Sequence, residues 1–131
     1  MTKITRIGLN TSKTVFVLHG VDCADQPVLR KKLRRQQMVQ FFAKLEPTQI
    51  GLEACGASHD WARRLHGLGH DVVLLPPQYV KPYVQRNKND SRDAEAICEA
   101  MSRPRIKRRF VPVKTAEQQA ALMLAGTRNA L

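Results

Sequence analysis

The first third of the chain carries the hydrophobic pattern of β-strands. Residues 4–9 alternate loosely between apolar and polar, and residues 14–21 form a β-branched, apolar run. Because the turn residues 10–13 lie between them, we predict that these two strands form a hairpin. A third strand is predicted over residues 27–33. Apolar residues then recur at helical spacing until Pro47, which predicts a helix whose apolar face is formed by Met38, Phe41, Phe42 and Leu45.

The middle of the chain changes to alternating strands and helices. Residues 48–53 and 71–75 are short apolar runs that predict buried strands, and residues 57–68 carry a helical stripe. Pro76 and Pro77 close the last strand and begin a short helical piece. Because this order favours parallel strands joined by right-handed crossovers, we predict an α/β protein with a mixed five-stranded sheet flanked by helices.

The last part of the chain begins with a basic cluster, RIKRRF at residues 105–110, which we interpret as a connector. Thr115, with Gln118 three residues later, is a capping-box pattern that predicts the start of a helix. Because no stop signal precedes Leu131, we expect this helix to continue in a longer parent polypeptide. A frayed natural terminus is the alternative.

The charge balance favours a polyanionic partner. Lys and Arg number 22 against 11 Asp and Glu, a formal net charge of +11, which is typical of proteins that bind nucleic acid. Aromatic residues are only 5% of the chain, so we expect contacts to phosphates rather than base stacking. Two basic clusters are the candidates: Arg30, Lys31, Lys32, Arg34 and Arg35, and then Arg103, Arg105, Lys107, Arg108 and Arg109. Solvated charge on an edge strand and on a linker is the alternative.

The cysteines and the hydropathy indicate a cytoplasmic protein without a membrane partner. Cys23, Cys55 and Cys98 are odd in number and share no close-pair spacing, which favours a reducing compartment. A zinc site that combines them with His19 or His59 is the alternative. No segment has the pattern of a signal peptide or the length of a membrane span.

The segment from Asn89 to Pro104 is predicted to be a helix with two kinds of acidic residue. Its apolar face is set by Ala94, Ile97 and Met101. At about 100° per residue, Asp90 lies about 20° from Ile97, and Asp93 lies about 40° on its other side. Two carboxylates directed toward a core need a compensating charge, because they repel each other and lose hydration. The alternative is that they only stabilise the helix N-terminus.

The other two acids of this helix are predicted to be surface charges. Glu95 and Glu99 fall on the opposite face, at spacings that allow ion pairs with Arg92 and Arg103.

A third carboxylate is predicted to join Asp90 and Asp93. Glu53 ends a strand at the carboxyl edge, where parallel sheets place their sites. Three acids there could hold Mg²⁺ or Mn²⁺, two ions that prefer oxygen ligands and serve phosphodiester chemistry. A fourth ligand is expected at the end of the neighbouring first strand, and that position is Asn10.

Three segments resemble the N-terminal domain of DEDD-type insertion-sequence transposases, the bacterial elements described as bridge-RNA-guided recombinases. They are IGLNTSKTVFVLHGVD, IGLEACGASHDWARRL and QYVKPYVQRNKNDSRDAEAICEA, in this order. The resemblance runs from about Ile4 to Ala125, and the motif KNDxxDAEAI with EACG upstream is its most specific part. It implies a RuvC-like, ribonuclease-H-like fold and four acidic positions, of which Glu53, Asp90 and Asp93 match the last three.

The chain departs from this family at two points. The family's first acidic position is Asn10, which can coordinate through its amide oxygen but supplies no charge. Family members also continue into a C-terminal domain with a nucleophilic serine, and we expect this chain to end before that domain. We therefore divide the chain into a ribonuclease-H-like DEDD domain (residues 1–103) and a basic connector with the start of a helix toward that domain (residues 104–131). Whether the chain is an enzyme by itself stays open.

The resemblance also implies partners and a function. Family members assemble as dimers and tetramers around DNA and a structured noncoding (bridge) RNA. The leading hypothesis is thus a divalent-metal-dependent transposase domain that acts in DNA transposition and recombination. A non-catalytic nucleic-acid-binding or assembly module and a structure-specific nuclease of the Holliday-junction type are the alternatives.

Overall fold

A computed structural model of the protein describes residues 3–11, 14–84 and 90–121, with the side chains of Asp90 and Ser91 outside that description. The strands are β1 (Arg6–Thr11), β2 (Val15–Val21), β3 (Pro27–Arg34), β4 (Gln49–Glu53) and β5 (Asp71–Leu75). The helices are α1 (Arg35–Lys44), α2 (Gly56–Gly67), α3 (Pro77–Val80), α4 (Asp90–Ala100) and α5 (Pro104–Lys107), with a 3₁₀ helix at Lys81–Tyr83. Another helix begins at residue 116 and is described to residue 121.

The strands form one mixed sheet in the order β3-β2-β1-β4-β5. β2 pairs antiparallel with both β1 and β3, whereas β4 lies parallel to both β1 and β5. This confirms the predicted α/β class with a mixed five-stranded sheet flanked by helices. The arrangement is consistent with the ribonuclease-H-like fold. The antiparallel and parallel halves meet at β1, the central strand.

β1 continues two residues beyond its predicted end. Asn10 and Thr11, which were predicted to form a turn, pair with Val17 and Phe16 of β2. Pairing satisfies their backbone hydrogen-bonding groups, so the register with β2 outweighs the turn preference of these residues. The other two predicted turn positions, 12–13, lie outside the described residues.

One face of the sheet packs against α1 and α2, and we call it the α1–α2 face. Its core takes buried side chains from all five strands and from both helices: Ile7, Leu9, Phe16, Leu18, Leu33, Met38, Phe42, Ile50, Leu52, Trp61, Ala62, Leu65 and Leu74. Trp61 of α2 meets Phe16 edge to face, with ring centroids 5.1 Å apart. Each fully buried large side chain in such a core contributes about 1.5–3 kcal/mol.

The opposite face, which we call the α4 face, is covered by α4. Two glycines let this helix lie close to the strands. A Cβ added at Gly8 would lie 2.2 Å from the carbonyl oxygen of Ala94, and one at Gly51 would lie 2.7 Å from the Sδ of Met101. A second core cluster fills the space between α4, β5 and α5: Leu75, Val80, Ala96, Ile97, Ala100, Met101 and Ile106.

Within the described residues, the helix predicted over residues 89–104 stops short of Pro104. α4 ends at Ala100, and the hydroxyl of Ser102 donates a hydrogen bond to the carbonyl of Glu99 at 2.7 Å. Pro104 then opens α5, as expected for a residue without an N–H in a first helical turn. The start of the predicted connector is therefore helical, and its Ile106 is buried.

Residues beyond α5 run along β5 and α2. The N–H of Val111 donates to the carbonyl of Leu74 at 2.8 Å, and the N–H of Lys114 donates to Nδ1 of His59 at 3.1 Å. Arg63 of α2 donates to the carbonyl of Lys114. This segment thus contacts the sheet and α2 directly, while the division of the chain at residue 103 stays a prediction.

The predicted capping box is confirmed. Oγ1 of Thr115 accepts the N–H of Gln118 at 3.1 Å, and Oε1 of Gln118 accepts the N–H of Thr115 at 2.9 Å. The helix that follows is described only to residue 121, so the rest of its predicted length lies outside the described residues.

Candidate metal centre

The strand register places Asn10 and Glu53 side by side at the carboxyl edge of the parallel strands. Leu9 of β1 pairs with Leu52 of β4, and Asn10 and Glu53 each follow these paired residues by one position. Side chains alternate along a strand. Because Gly8 faces α4, Asn10 shares the α4 face, and the same holds for Glu53 two residues after Gly51. Both residues are half-buried.

α4 runs antiparallel to β1, so its N-terminal end lies toward this edge. Nε of Arg6 donates to the carbonyl of Cys98 at 2.8 Å, and Gly8, two residues along β1, lies against Ala94. A helix rises about 1.5 Å per residue and a strand about 3.3 Å, so four residues of α4 match about two of β1. The first turn of α4 therefore lies at the level of Asn10.

Glu53 and Asp93 form a pair of like charges at this edge. Burial raises the pKa of Glu53, the negative charge of Asp93 raises it further, and the ammonium of Lys81 lowers it. The two carboxyl groups predicted from sheet edge and helix phase are thus close enough to interact. Asp90 begins α4, but its side chain lies outside the described residues, so its part in the site stays a prediction.

The donor chemistry of this edge fits a hard divalent cation. Glu53 and Asp93 supply carboxylate oxygens, and Asn10 carries an amide oxygen on the same face of the neighbouring strand. Two ligands of this kind suffice for Mg²⁺, which usually keeps several of its waters. Within the described residues, no three His, Cys, Asp or Glu side chains form a group that could hold a metal.

The zinc alternative gains no support from the structure. Cys23 and Cys55 are exposed, whereas Cys98 is buried in α4. His59 is bonded to the backbone of Lys114. All of these residues are described, and they join no metal-binding group of three or more.

Lys81 is a member of the site that the sequence did not reveal. It begins the 3₁₀ helix between α3 and α4, and its ammonium lowers the pKa of Glu53. The motif around it, QYVKPYV, predicted only a short helical piece. Its approach to Glu53 depends on how that piece packs beside the sheet, which no local pattern indicates.

The first basic cluster is divided between the two faces of the sheet. β3 lies at the end of the sheet order, and its cationic side chains are exposed. Lys31 lies over the ring of Phe41 of α1, 5.6 Å from its centroid, on the α1–α2 face. Strand alternation directs the other cations of β3, Arg30, Lys32 and Arg34, to the α4 face. Arg35 is the first residue of α1.

The second basic cluster surrounds α5, and its cations are exposed. Arg103 is committed to contacts within the chain, because it forms an ion pair with Glu99 and lies 5.6 Å from the ring centroid of Tyr83. Arg105, Lys107, Arg108 and Arg109 follow it on the exposed surface.

The predicted pairs of α4 are confirmed, but one predicted position is wrong. Arg92 lies 3.8 Å from Glu95, and Arg103 pairs with Glu99. Glu95 was predicted to be a solvated surface charge, yet it lines a groove beside β2 and its charge acts on His19. The helix lies so close to β1 and β2 that even its flank faces the sheet.

The chain is an α/β domain with a mixed sheet and two interacting carboxylates at the carboxyl edge of that sheet. Comparisons with known proteins show which proteins contain a similar domain. The chain is 64% identical over 129 residues, 98% of its length, to a protein named as a transposase in Sinorhizobium fredii. It is 52% identical over 128 residues to one named as a family 20 transposase in Pseudomonas aeruginosa. It is 43% identical over all 131 residues to the transposase for insertion sequence element IS1328 of Yersinia enterocolitica.

These relatives are much longer than the chain. It spans 33%, 37% and 39% of their respective lengths, about a third of each protein. No protein-family model matches the chain. The relatives thus show that the whole chain is similar to one part of insertion-sequence transposases. None of the helices in the described ranges has the length and hydropathy needed to cross a lipid bilayer.

Proposed function

We propose that this chain is the RuvC-like DEDD domain of an insertion-sequence transposase and that it acts in DNA transposition. The observation that carries the proposal is the approach of Asp93 to Glu53 at the carboxyl edge of the sheet, in a chain similar to transposases over 98–100% of its length. Similarity supports the biological process, and the carboxylate pair supports the chemistry. In this proposal the rest of the transposase supplies the other catalytic groups.

Glu53 and Asp93 would hold Mg²⁺ or Mn²⁺, together with Asn10 and Asp90. When bound, such an ion activates water and stabilises the leaving oxygen of a phosphodiester displacement. The chain's own contribution is positional. β4 fixes Glu53 through its pairing with β1 and β5, and α4 brings Asp93 to it. Because the cation would neutralise two repelling carboxylates, binding should also stabilise the fold.

The nucleic-acid partners in this proposal are DNA and a structured RNA. The net charge of +11 and the exposed cations of β3 and of the α5 region support contacts to phosphate backbones. The RNA and the assembly of several subunits rest on the family resemblance alone.

Metal titration tests the proposal. Isothermal calorimetry of the chain with Mn²⁺ and Mg²⁺ should show saturable binding, and Mn²⁺ at about 100 times its Kd should stabilise the fold by about 2.7 kcal/mol. Glu53→Gln and Asp93→Asn should remove both effects. Glu46→Gln and Asp71→Asn are matched controls, because these carboxylates are exposed and lie away from the edge. Absence of binding heat, or a Glu53→Gln variant that titrates like the original chain, contradicts the metal site.

Asn10 favours a second candidate, a nucleic-acid-binding or assembly module without catalysis. The neutral amide stands at the end of the central strand, where the resemblance implies an Asp, so the edge carries one negative charge fewer. If this candidate is right, the chain should bind nucleic acid in a salt-dependent manner, and neither Mn²⁺ nor Glu53→Gln should change the affinity.

A further inference from the structure

A groove lies between α4 and the edge strand β3, on the α4 face of the sheet. Its volume is about 400 Å³, and its walls include Arg30 and Lys32 of β3 and Arg92 and Glu95 of α4. His19 of β2 lies at its floor and is only 7% exposed. The groove is thus a built concavity with charged walls, and it is separate from the edge that holds Glu53.

The groove carries a net positive charge. Three cations present their side chains on this face, Arg30, Lys32 and Arg92, and Glu95 is the carboxylate among the lining residues. Glu95 lies 3.8 Å from Arg92, so part of the negative charge is already paired. Burial lowers the pKa of His19, and Arg30 and Arg6 lower it further against the opposite effect of Glu95. The floor is therefore a neutral imidazole below positive walls, an arrangement that suits an anion.

The register connects the groove to the candidate metal centre. Asn10 of β1 pairs with Val17 of β2, and Val17 pairs with Lys32 of β3. Adjacent strands lie about 4.8 Å apart, so Lys32 is about 10 Å from Asn10 on the same face. A few nucleotides of one strand span this distance, so a single strand can reach both places.

The first turn of α4 presents opposite charges to the two places. Arg92 lines the groove, and the next residue, Asp93, acts on Glu53. The same helical turn thus carries a cation for a phosphate and, one residue later, a carboxylate for a metal.

We propose that the groove between α4 and β3 binds a backbone phosphate of the same nucleic-acid strand that reaches the Glu53–Asp93 edge, with Arg30, Lys32 and Arg92 as its donors. The inference rests on the proposed function, and it assigns to Arg92 a binding role that its helical position and its pair with Glu95 did not indicate. The ligand is a phosphodiester. Both DNA and RNA carry it, so the experiment must separate them.

Charge-neutral variants test the groove. Fluorescence anisotropy with labelled single-stranded DNA, duplex DNA and hairpin RNA should give an affinity for each at several salt concentrations. Arg92→Gln and Lys32→Gln should each weaken the preferred ligand about tenfold, as expected for loss of one charged hydrogen bond. Each should also reduce the slope of log affinity against log salt concentration by about one. Glu95→Gln should strengthen binding, because it removes the negative charge of the groove.

Lys44→Gln is the matched control, since it removes one exposed positive charge on α1, outside the groove and outside both basic clusters. Equal losses for Lys44→Gln and the groove variants would overturn the inference, because net charge alone would then explain binding. So would weaker binding by Glu95→Gln. The ligand that shows the groove-specific loss identifies DNA or RNA as the source of the phosphate.

Metal binding separates the two proposals. Lys32 is exposed on the edge strand, so Lys32→Gln should fold normally and titrate Mn²⁺ like the original chain. If metal binding is normal but the groove variants show no specific loss of affinity for nucleic acid, only the groove proposal is overturned. If the original chain does not bind metal, the proposed function is overturned, whatever the groove variants show.

Discussion

Gly8 of β1 lies directly against the backbone of Ala94 in α4, with no room for a side chain between them. A Cβ at Gly8 would lie 2.2 Å from the carbonyl oxygen of Ala94 and 2.5 Å from the backbone nitrogen of Cys98. Backbone cannot move aside as the end of a flexible side chain can. This contact therefore sets the distance between α4 and the sheet, and with it the approach of Asp93 to Glu53.

Gly8→Ala should move α4 away from β1. We expect a loss of about 3 kcal/mol in the free energy of unfolding, the upper part of the usual range for overpacking, measured by urea denaturation. Affinity for Mn²⁺ should fall as well. Gly67→Ala is the control: nothing lies within 4 Å of its added Cβ, and Ala in a helix gains about 0.5–1 kcal/mol over Gly. Equal stability of the two variants would contradict the close contact.

Glu53→Gln should stabilise the metal-free chain at neutral pH. The pKa of Glu53 is raised in the folded state, by burial and then by Asp93. As pH rises above the ordinary value of 4.5, the unfolded chain releases this proton first, so the original chain loses stability until pH passes the folded pKa. Thermal melts of both proteins from pH 4 to 7 with chelator present should diverge over that window. Parallel curves of melting temperature against pH would mean that folding does not raise the pKa of Glu53.

Asn10→Asp should have opposite effects with and without metal. A further carboxylate at this edge adds repulsion, so the metal-free variant should be less stable than the original chain. With Mn²⁺ the added charge should strengthen binding by about tenfold, measured by calorimetry. Asp93→Asn in the same background should cancel the gain. No change in affinity would place Asn10 outside the site.

Acid should break the hydrogen bond between the Lys114 amide and His59 of α2. Nδ1 of His59 accepts the N–H of Lys114, and an imidazolium cannot accept. Burial lowers the pKa of His59, with smaller effects of Lys114 and Arg63, so the bond persists at neutral pH and is lost as pH falls below the ordinary value of 6.5 through the lowered value. Hydrogen exchange of the Lys114 amide, corrected for its intrinsic rate, should accelerate in that range.

His59→Asn keeps a side-chain acceptor and should preserve protection of that amide to lower pH, whereas His59→Leu should lose it at every pH. His66→Asn, on the exposed side of the same helix, should leave the pH dependence as it is. Protection that does not change with pH in the original chain would contradict the role of His59.

The hydrophobic periodicity of the sequence and its turn and capping residues predicted most of the fold. β5 was predicted with its observed bounds, and each predicted strand has a counterpart in the sheet. The errors fall where tertiary contact outweighs local preference. Asn10 and Thr11 are turn residues by type but pair with β2, and residues 104–107 became helical as Ile106 entered the core beside α4.

The candidate site was predictable in part. Glu53 followed from its place at a strand end, and Asp93 from its phase on a helix. Lys81 and the groove position of Glu95 were not predictable, because both depend on how closely elements distant in sequence pack against the sheet. The predicted contribution of Asp90 falls on a side chain outside the described residues.

The edge position of β3 has a consequence for solubility. An outer strand offers unpaired backbone groups to any other chain in an extended conformation, and charged side chains along it discourage such pairing. Arg30, Lys31, Lys32 and Arg34 place that protection on both surfaces of the outer strand. Removing all four charges would therefore weaken the proposed contacts with nucleic acid and, at the same time, open the sheet to self-association through its edge.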